Sequence, residues 1–180
     1  RPHIIMIHDE SSFDIRQASG VKVPPGYGSH FKSFDGRERK FMAESSGGAS
    51  WMAEYNVLAG LSSRSFGRFS YFVTRIASGR VERGLPLALR RCGYSTLSLY
   101  PAYGAFMGAR GFQTSTGIQH FYGARALGAK GIEFAKMVPG LWFPGLLRNT
   151  LGYRTHARVS LPVLNPRTGI TLAGPTTPVS

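Results

Sequence analysis

Two short apolar runs restrict the fold of this chain more than any other feature. The first spans residues 3–8, is rich in β-branched side chains and ends in a polar stretch that opens with Asp9 and Glu10. The second spans residues 94–100, alternates in polarity and stops before a proline. Both runs predict strands, and the continuous apolar character of the first favours a buried one.

Helical patterns lie between these runs. Residues 51–58 predict a helix that follows the small-residue turn 45–50, where Ser50 is placed to cap it. Residues 83–91 predict a second, amphipathic helix. The order strand, helix, strand is typical of βαβ units. We therefore predict an α/β fold with a mainly parallel sheet sandwiched by helices.

Composition excludes several classes of protein. With 180 residues, of which 42% are apolar, the chain can build a core, which excludes disorder throughout. The single cysteine, Cys92, excludes an intramolecular disulfide framework and a cysteine-built zinc site. No apolar run approaches the roughly 18 residues of a membrane-spanning helix. Because the chain begins at Arg1 rather than Met, we expect a fragment or a processed product.

Charge is unevenly distributed, with a net charge of +13 overall. Residues 1–133 hold all nine acidic residues and 17 basic ones, whereas residues 134–180 hold five basic residues and no acidic one. The second segment is also rich in proline, and we predict it to be irregular. Two interpretations stay open: a basic tail that binds a partner, or a segment translated out of its ancestral frame.

The strand ends direct attention to two carboxylates. In parallel sheets, ligands gather beyond the C-terminal ends of the strands, where Asp9, Glu10 and Ser50 are expected to lie. Adjacent carboxylates repel each other, and a divalent cation relieves that repulsion. The alternative is an ordinary solvated acidic loop, which is common at strand ends.

Ser50 and Arg110 are the other candidates for chemistry. A hydroxyl at a helix N-terminus after flexible glycines could lie against a phosphate or sulfate ester, since the helix dipole stabilises an anion there. Arg110 could hold such an anion with two parallel hydrogen bonds. The alternatives are a plain N-cap serine and an ordinary basic residue. The five histidines show no fixed spacing and are interpreted as structural or superficial.

Three segments, in order, carry a resemblance to a known superfamily. They read HIIMIHDESSFD, SGGASWMAEYNVLAGLSSRSFG and LPLALRRCGYSTLSLYPAYGAFMGARGFQTSTGIQHF, and together they extend over about residues 1–125. The chain resembles the sulfatase and alkaline-phosphatase superfamily, in the branch of lipoteichoic-acid-synthase-like enzymes and phosphoethanolamine or phosphoglycerol transferases. Residues 1–133 would then be the N-terminal part of a sulfatase-like catalytic domain.

The resemblance implies an alkaline-phosphatase-like sandwich, a divalent Mn²⁺ or Zn²⁺ ion, and a covalent intermediate on Ser50. Glu10 falls on the first metal ligand, Ser50 on the nucleophile that also contacts the metal, and Asp9 beside them as an assisting ligand. Arg110 falls near an arginine that contacts the substrate head group. The implied substrate is a phosphate or sulfate ester, such as a phospholipid head group or a glycan. The implied location is the periplasm or the outer face of a bacterial inner membrane, with membrane association only through segments absent from this chain.

One departure from the superfamily pattern concerns the second half of the metal site. The superfamily completes it with a Gly-Asp-His motif far downstream, but no such motif occurs here and no aspartate follows Asp35. We therefore expect residues 134–180 to be out of frame and the chain to be truncated. Three functions stay open: a metal-dependent hydrolase or phosphotransferase, a basic module that binds nucleic acid or anionic lipid without catalysis, and an inert truncated polypeptide. Nucleic acid is the less expected partner, because no known nucleic-acid-binding motif is present.

Overall fold

The structure is a computed structural model, and it describes residues 2–8, 14–39, 42–44, 49–127 and the backbone of a strand at 169–175. The described strands are β1 (Ile4–His8), β2 (Tyr94–Leu99), β3 (His120–Tyr122) and β4 (Gly169–Pro175). The described α-helices are α1 (Trp51–Ala59), α2 (Val73–Ala77), α3 (Leu85–Arg91) and α4 (Ala109–Ser115). Short 3₁₀ helices span Ile15–Gln17, Tyr27–Phe31, Ser63–Phe72 and Phe106–Gly108. The predicted mixed α/β class is confirmed.

The strands form one sheet in the order β1, β4, β2, β3. β4 runs antiparallel to both of its neighbours, whereas β3 runs parallel to β2. Consequently β1, β2 and β3 all point in one direction, as a βαβ arrangement requires, but only the β2–β3 pair is directly parallel. Ile7 and Leu99 both lie opposite Ile170, so the C-terminal ends of β1 and β2 are level at one edge of the sheet.

The intervening strand β4 corrects the prediction that residues 134–180 are irregular. Residues 169–175 pair with two strands that are about 75 and 165 positions away in sequence, and no local pattern reveals such distant partners. The rest of that segment lies outside the described residues. Of the three strand pairs in the described sheet, β2–β3 is parallel and the other two are antiparallel, so the described sheet is mixed rather than mainly parallel.

β1 is less buried than its apolar sequence predicts. Ile4, Ile5 and Ile7 are 39%, 52% and 41% exposed, and only Met6 is recorded packing against the helical core. The reason is its position: β1 stands at the end of the strand order and has a neighbour on one side within the described residues. Strand formation was correctly predicted, but burial was not.

β2 is the central, buried strand of the described sheet. Leu97 and Leu99 on one face are 4% and 1% exposed, and Thr96 and Ser98 on the other are 1% and 2% exposed. Because β2 is covered on both faces, its successive side chains from Thr96 to Leu99 are all small or aliphatic and are buried on either side of the sheet.

Helix α1 packs against α2 and α4 through a small aromatic and aliphatic cluster. Tyr55, Leu58 and Ala59 join the buried side chains Val73, Ala77 and Phe112 from α2 and α4. The helix ends where predicted, because Gly60 adopts a left-handed conformation (φ 68°) that favours glycine. No helix in the described ranges is long and apolar enough to cross a bilayer.

The predicted second helix is shorter than expected and weakly buried. It begins at Leu85, which is 44% exposed, and Pro86 is its buried residue. Cys92, directly after the helix, is exposed. The helix therefore contacts the rest of the fold along a narrower stripe than its sequence pattern indicates.

Residues 14–39 form a polar lobe held by ion pairs. Arg16 pairs with Asp14 at 2.5 Å and Arg39 pairs with Asp35 at 2.8 Å. Hydrogen bonds from Arg39 and then Ser33 hold the pKa of Asp35 well below its usual range. The β structure of these residues is a single bridge between Lys32 and Glu38.

Glu44 joins three segments through its carboxylate. It accepts hydrogen bonds from the Ser62 hydroxyl at 2.6 Å, from the Ser63 backbone N–H at 2.6 Å and hydroxyl at 2.7 Å, and from the Asn56 amide at 2.9 Å. These donors, the Ser62 hydroxyl first, lower the pKa of Glu44 from 4.5 to about 2. The carboxylate thus fastens the end of α1 to the 3₁₀ segment that follows.

The Glu44→Gln substitution is expected to destabilise the fold in a pH-dependent manner. Because the pKa of Glu44 is lower in the folded chain, its ionised form stabilises the fold above pH 4.5, and that contribution is lost as pH falls toward about 2. Thermal unfolding of both proteins across this range should show a difference in Tm at neutral pH that narrows in acid. Glu82→Gln, which changes an exposed glutamate, is the matched control. A difference that stayed constant with pH would contradict this account.

Candidate active site

The structure describes two of the four candidate residues, Ser50 and Arg110. Asp9 and Glu10 lie outside the described residues, directly after His8, the last residue of β1. Ser50 is half-buried and immediately precedes α1, and Arg110 is exposed in the first turn of α4. Ser50, Arg110 and their neighbours are therefore the described part of the candidate active site.

Ser50 occupies the N-cap position of α1 without acting as a cap through its side chain. Its backbone is helical (φ −56°, ψ −22°), and its hydroxyl makes no capping hydrogen bond. Its carbonyl accepts from the Glu54 N–H at 3.1 Å. Ala49 before it has a φ of 51°, a left-handed conformation that is unfavourable for alanine. The plain N-cap role considered for Ser50 is therefore not the one it has.

Aromatic contacts align α1 with α4. The ring of Trp51, in the first turn of α1, lies 5.5 Å from the ring of Phe106, just before α4. One turn further along, the ring of Tyr55 lies 5.7 Å from that of Phe112, in the middle of α4. The two helices therefore advance side by side in the same direction.

The C-terminal ends of these helices also meet. A Cβ atom built on Gly84 would lie 2.6 Å from the Leu58 carbonyl oxygen and 3.2 Å from the Thr116 carbonyl oxygen. Only glycine permits both helix ends to approach the chain so closely at this point. Since the C-terminal ends of α1 and α4 converge at Gly84, their N-terminal ends, with Ser50 and Arg110, share the opposite end of the helical layer.

That opposite end coincides with the edge of the sheet at which β1, β2 and β3 finish. Phe106, which contacts the start of α1, lies in the chain that follows β2. At the other edge, the Thr96 hydroxyl near the start of β2 donates to the Gly117 carbonyl, just after α4, at 2.7 Å. The N-terminal end of α1, which carries Ser50, is thus near the chain that follows β2.

A buried polar pair links the two helices behind the site. Glu54, one turn after Ser50, is 6% exposed and accepts a hydrogen bond from the Gln113 amide nitrogen. Gln113 is 3% exposed, and within the described part of the chain its Oε1 has no hydrogen-bond partner. Buried polar groups of this kind fix the relative position of the elements that carry them. The pair therefore holds the helix that carries Ser50 against the helix that carries Arg110.

Arginines stack on aromatic rings at the same edge. The Arg110 guanidinium lies 5.1 Å from the centre of the Phe121 ring, and that of Arg125 lies 5.8 Å from the Tyr103 ring. A Cβ atom on Gly104 would lie 3.0 Å from both the Arg110 Cβ and the Phe121 ring, so glycine permits this packing. The Phe121 ring of β3 thus orients the Arg110 guanidinium, and Arg110 remains exposed to solvent.

The chain segments that follow β2 and β3 bring basic side chains and no acidic ones to this edge. Residues 83–132, which include the loops after β2 and β3, contain no aspartate or glutamate. The N-terminus of α1 adds the partial positive charge of its first backbone N–H groups. Together with Arg110 and Arg125, it makes the edge suited to an anionic group.

Sequence reasoning missed Glu54, Gln113 and Arg125. Glu54 did leave a signal, because it stands four residues after Ser50 and four before the buried Leu58, on the face of α1 that carries both. Gln113 and Arg125 left none. Each has a partner that lies far from it in sequence, 59 residues away for Gln113 and 22 for Arg125.

A metal centre is not assembled by the described residues. No group of three or more His, Cys, Asp or Glu side chains in the described ranges could hold a metal ion. Of the three expected donors, Ser50 lies in these ranges, whereas Asp9 and Glu10 lie outside them.

Comparisons with protein-family models, with curated proteins and with solved structures gave no match for this chain.

Proposed function

We propose that this chain derives from the sulfatase and alkaline-phosphatase superfamily and that Ser50 is the nucleophile of a hydrolase or transferase acting on phosphate or sulfate esters. The observation that supports the proposal most is the position of Ser50. Its hydroxyl makes no capping bond, and it stands at the end of the helical layer that also carries Arg110. Along the chain, β1 is followed by α1 and then by β2, and the two strands run in the same direction. This arrangement is compatible with an alkaline-phosphatase-like sandwich.

The chemistry assigned to Ser50 is a two-step displacement. Its Oγ attacks the phosphorus or sulfur atom, the new Oγ–P or Oγ–S bond forms, and the ester bond to the departing alcohol breaks. The hydroxyl proton passes to solvent water, and the departing alkoxide takes a proton. Water or a second alcohol then attacks the phosphorus or sulfur atom, the Oγ–P or Oγ–S bond breaks, and the Ser50 oxygen takes up a proton as the phosphate, sulfate or new ester leaves. Arg110 and the N-terminus of α1 stabilise the negative oxygens of the ester.

The metal belongs to the same proposal. Asp9, Glu10 and Ser50 would supply oxygen ligands to Mn²⁺ or Zn²⁺, which lowers the pKa of a bound hydroxyl and polarises the ester. The resemblance further suggests a phospholipid head group or a glycan as the carrier of the ester, and the periplasm or the outer face of a bacterial inner membrane as the location.

Turnover of simple aryl esters tests the proposal. The purified chain is incubated with p-nitrophenyl phosphate or p-nitrophenyl sulfate in MnCl₂, in ZnCl₂ and in EDTA, and release of p-nitrophenol is followed. We expect hydrolysis of at least one ester in a divalent metal and its loss in EDTA. A folded chain with no turnover in either metal would contradict the proposal. Salt-sensitive binding to an anionic polymer under those conditions would instead favour the basic binding module that the net charge of +13 suggests.

A further inference from the structure

A cluster of exposed aromatic rings follows α1 along the chain. Phe69, Tyr71 and Phe72 are 50%, 49% and 43% exposed. The rings of Tyr71 and Phe72 lie 5.2 Å apart in an edge-to-face arrangement. Together with the exposed Arg68 and Arg75, these residues are called the aromatic–arginine surface. Neighbouring large rings left in water in this way are typical of an interaction surface.

The local backbone explains why the rings point outward. After a break at Gly67, a 3₁₀ segment runs to Phe72 and continues into α2. With three residues per turn, Phe69 and Phe72 fall on the same face. The inner face is already occupied, since Val73 and Thr74 are 0% and 1% exposed. The exposed rings are therefore surplus to the core of the described fold.

The residues that flank the rings in sequence carry charge of one sign. Residues 55–81 contain four arginines and no aspartate or glutamate. The Arg68 guanidinium lies 4.9 Å from the centre of the Phe69 ring, which keeps a cation beside an exposed aromatic side chain. Rings that enter the head-group boundary and arginines that contact lipid phosphates are the combination by which surface segments bind anionic bilayers.

We propose that the aromatic–arginine surface docks on an anionic lipid bilayer, with Phe69 and Phe72 at the head-group boundary and Arg68 and Arg75 at the lipid phosphates. Ring geometry favours a bilayer over single-stranded nucleic acid, which needs free ring faces for base stacking. The face of Phe69 is covered by Arg68, and Tyr71 meets both Phe72 and Trp51 edge to face.

The surface adjoins the candidate nucleophile. The Trp51 indole nitrogen donates to the Tyr71 carbonyl at 2.7 Å, and Trp51 follows Ser50 directly. Docking would therefore bring Ser50 to the membrane surface. The link to Ser50 rests on the proposed function, whereas docking on lipid does not. A chain that bound lipid but had no turnover would therefore support docking and contradict the proposed function.

Vesicle co-sedimentation tests the docking. The full chain is mixed with vesicles of phosphatidylcholine containing 30% phosphatidylglycerol, and with vesicles of phosphatidylcholine alone. We expect preferential binding to the anionic vesicles and about tenfold weaker binding for the double variant Phe69→Ser/Phe72→Ser, since both rings lose their apolar contact with lipid. The matched control is Phe34→Ser, which removes a fully exposed ring elsewhere and should bind like the parent chain.

The charged half of the surface has its own control. Arg68→Gln/Arg75→Gln should weaken binding to the anionic vesicles about tenfold or more. Arg90→Gln/Arg91→Gln, which removes two exposed arginines from α3, should have little effect. Equal losses in the two arginine pairs, or no loss on removal of Phe69 and Phe72, would overturn the proposal. The proposal would also be overturned if Phe69→Ser/Phe72→Ser bound vesicles like the parent chain but no longer bound oligo(dT). That result would assign the surface to nucleic acid.

Discussion

Replacement of Ser50 by alanine is expected to lower turnover of the phosphate or sulfate ester by about 10³-fold or more, because no covalent intermediate can then form. Ser50→Thr should keep part of the activity, since it preserves a hydroxyl on the same backbone. Transfer of labelled phosphate from substrate to protein should disappear in Ser50→Ala and persist in Ser50→Thr.

The thermal stability of Ser50→Ala distinguishes a nucleophilic serine from a helix-capping serine. The Ser50 hydroxyl makes no capping bond, so Ser50→Ala should leave Tm close to that of the parent chain. A true N-cap serine would cost about 1 kcal/mol on such a replacement. The matched control is Ser65→Ala, which removes an exposed hydroxyl bonded to the Ser62 carbonyl and should change neither activity nor labelling. Intact turnover in Ser50→Ala, with or without a loss of Tm, would exclude Ser50 as the nucleophile.

Phe112→Ala is expected to have the largest effect on stability. Phe112 is 0% exposed and stands where α1, α2 and α4 meet, with its ring 5.7 Å from that of Tyr55. Truncation of a buried phenylalanine costs about 3–5 kcal/mol, because it removes apolar contacts and leaves a cavity. In a chain of this size the loss corresponds to a fall in Tm of about 10 °C. Thermal and urea unfolding of the purified variants measure it.

Phe34→Ala is the matched control for this substitution. Phe34 is fully exposed, so its truncation should change the free energy of unfolding by less than about 0.5 kcal/mol. If the two variants unfolded alike, the cluster around Phe112 would not be the core that the packing of α1, α2 and α4 indicates. A change in m-value for Phe112→Ala would point instead to an altered unfolded state or the loss of two-state behaviour.

Parts of the fold could be predicted because they depend on neighbours in sequence. The alternation of residues 94–100 and the apolar run at 3–8 predicted β2 and β1, and both strands are present. The helix over residues 51–58 was predicted, and α1 matches it closely. A hydrophobic period, a cap position and a glycine stop all act within a few residues.

The candidate site was predictable to a lesser degree. The sequence placed Ser50 at the start of a helix, where the structure also has it, and its chemical role stays a prediction. It could not tell whether the hydroxyl is used as a cap, because that depends on backbone angles at Ala49 and Ser50. Nor could it reveal that Arg110 stacks on Phe121, since that contact needs β3 in place.

The sequence by itself thus determined the strands and helices that local periodicity encodes, and the residue types available for chemistry. Only the tertiary structure decided that β4 enters between β1 and β2, that β1 stays exposed, and that Glu54 is buried against Gln113. The physical reason is the same in each case. Pairing, burial and side-chain partners depend on groups that are distant in sequence, and their free energy is gained only after the chain has closed the intervening loops.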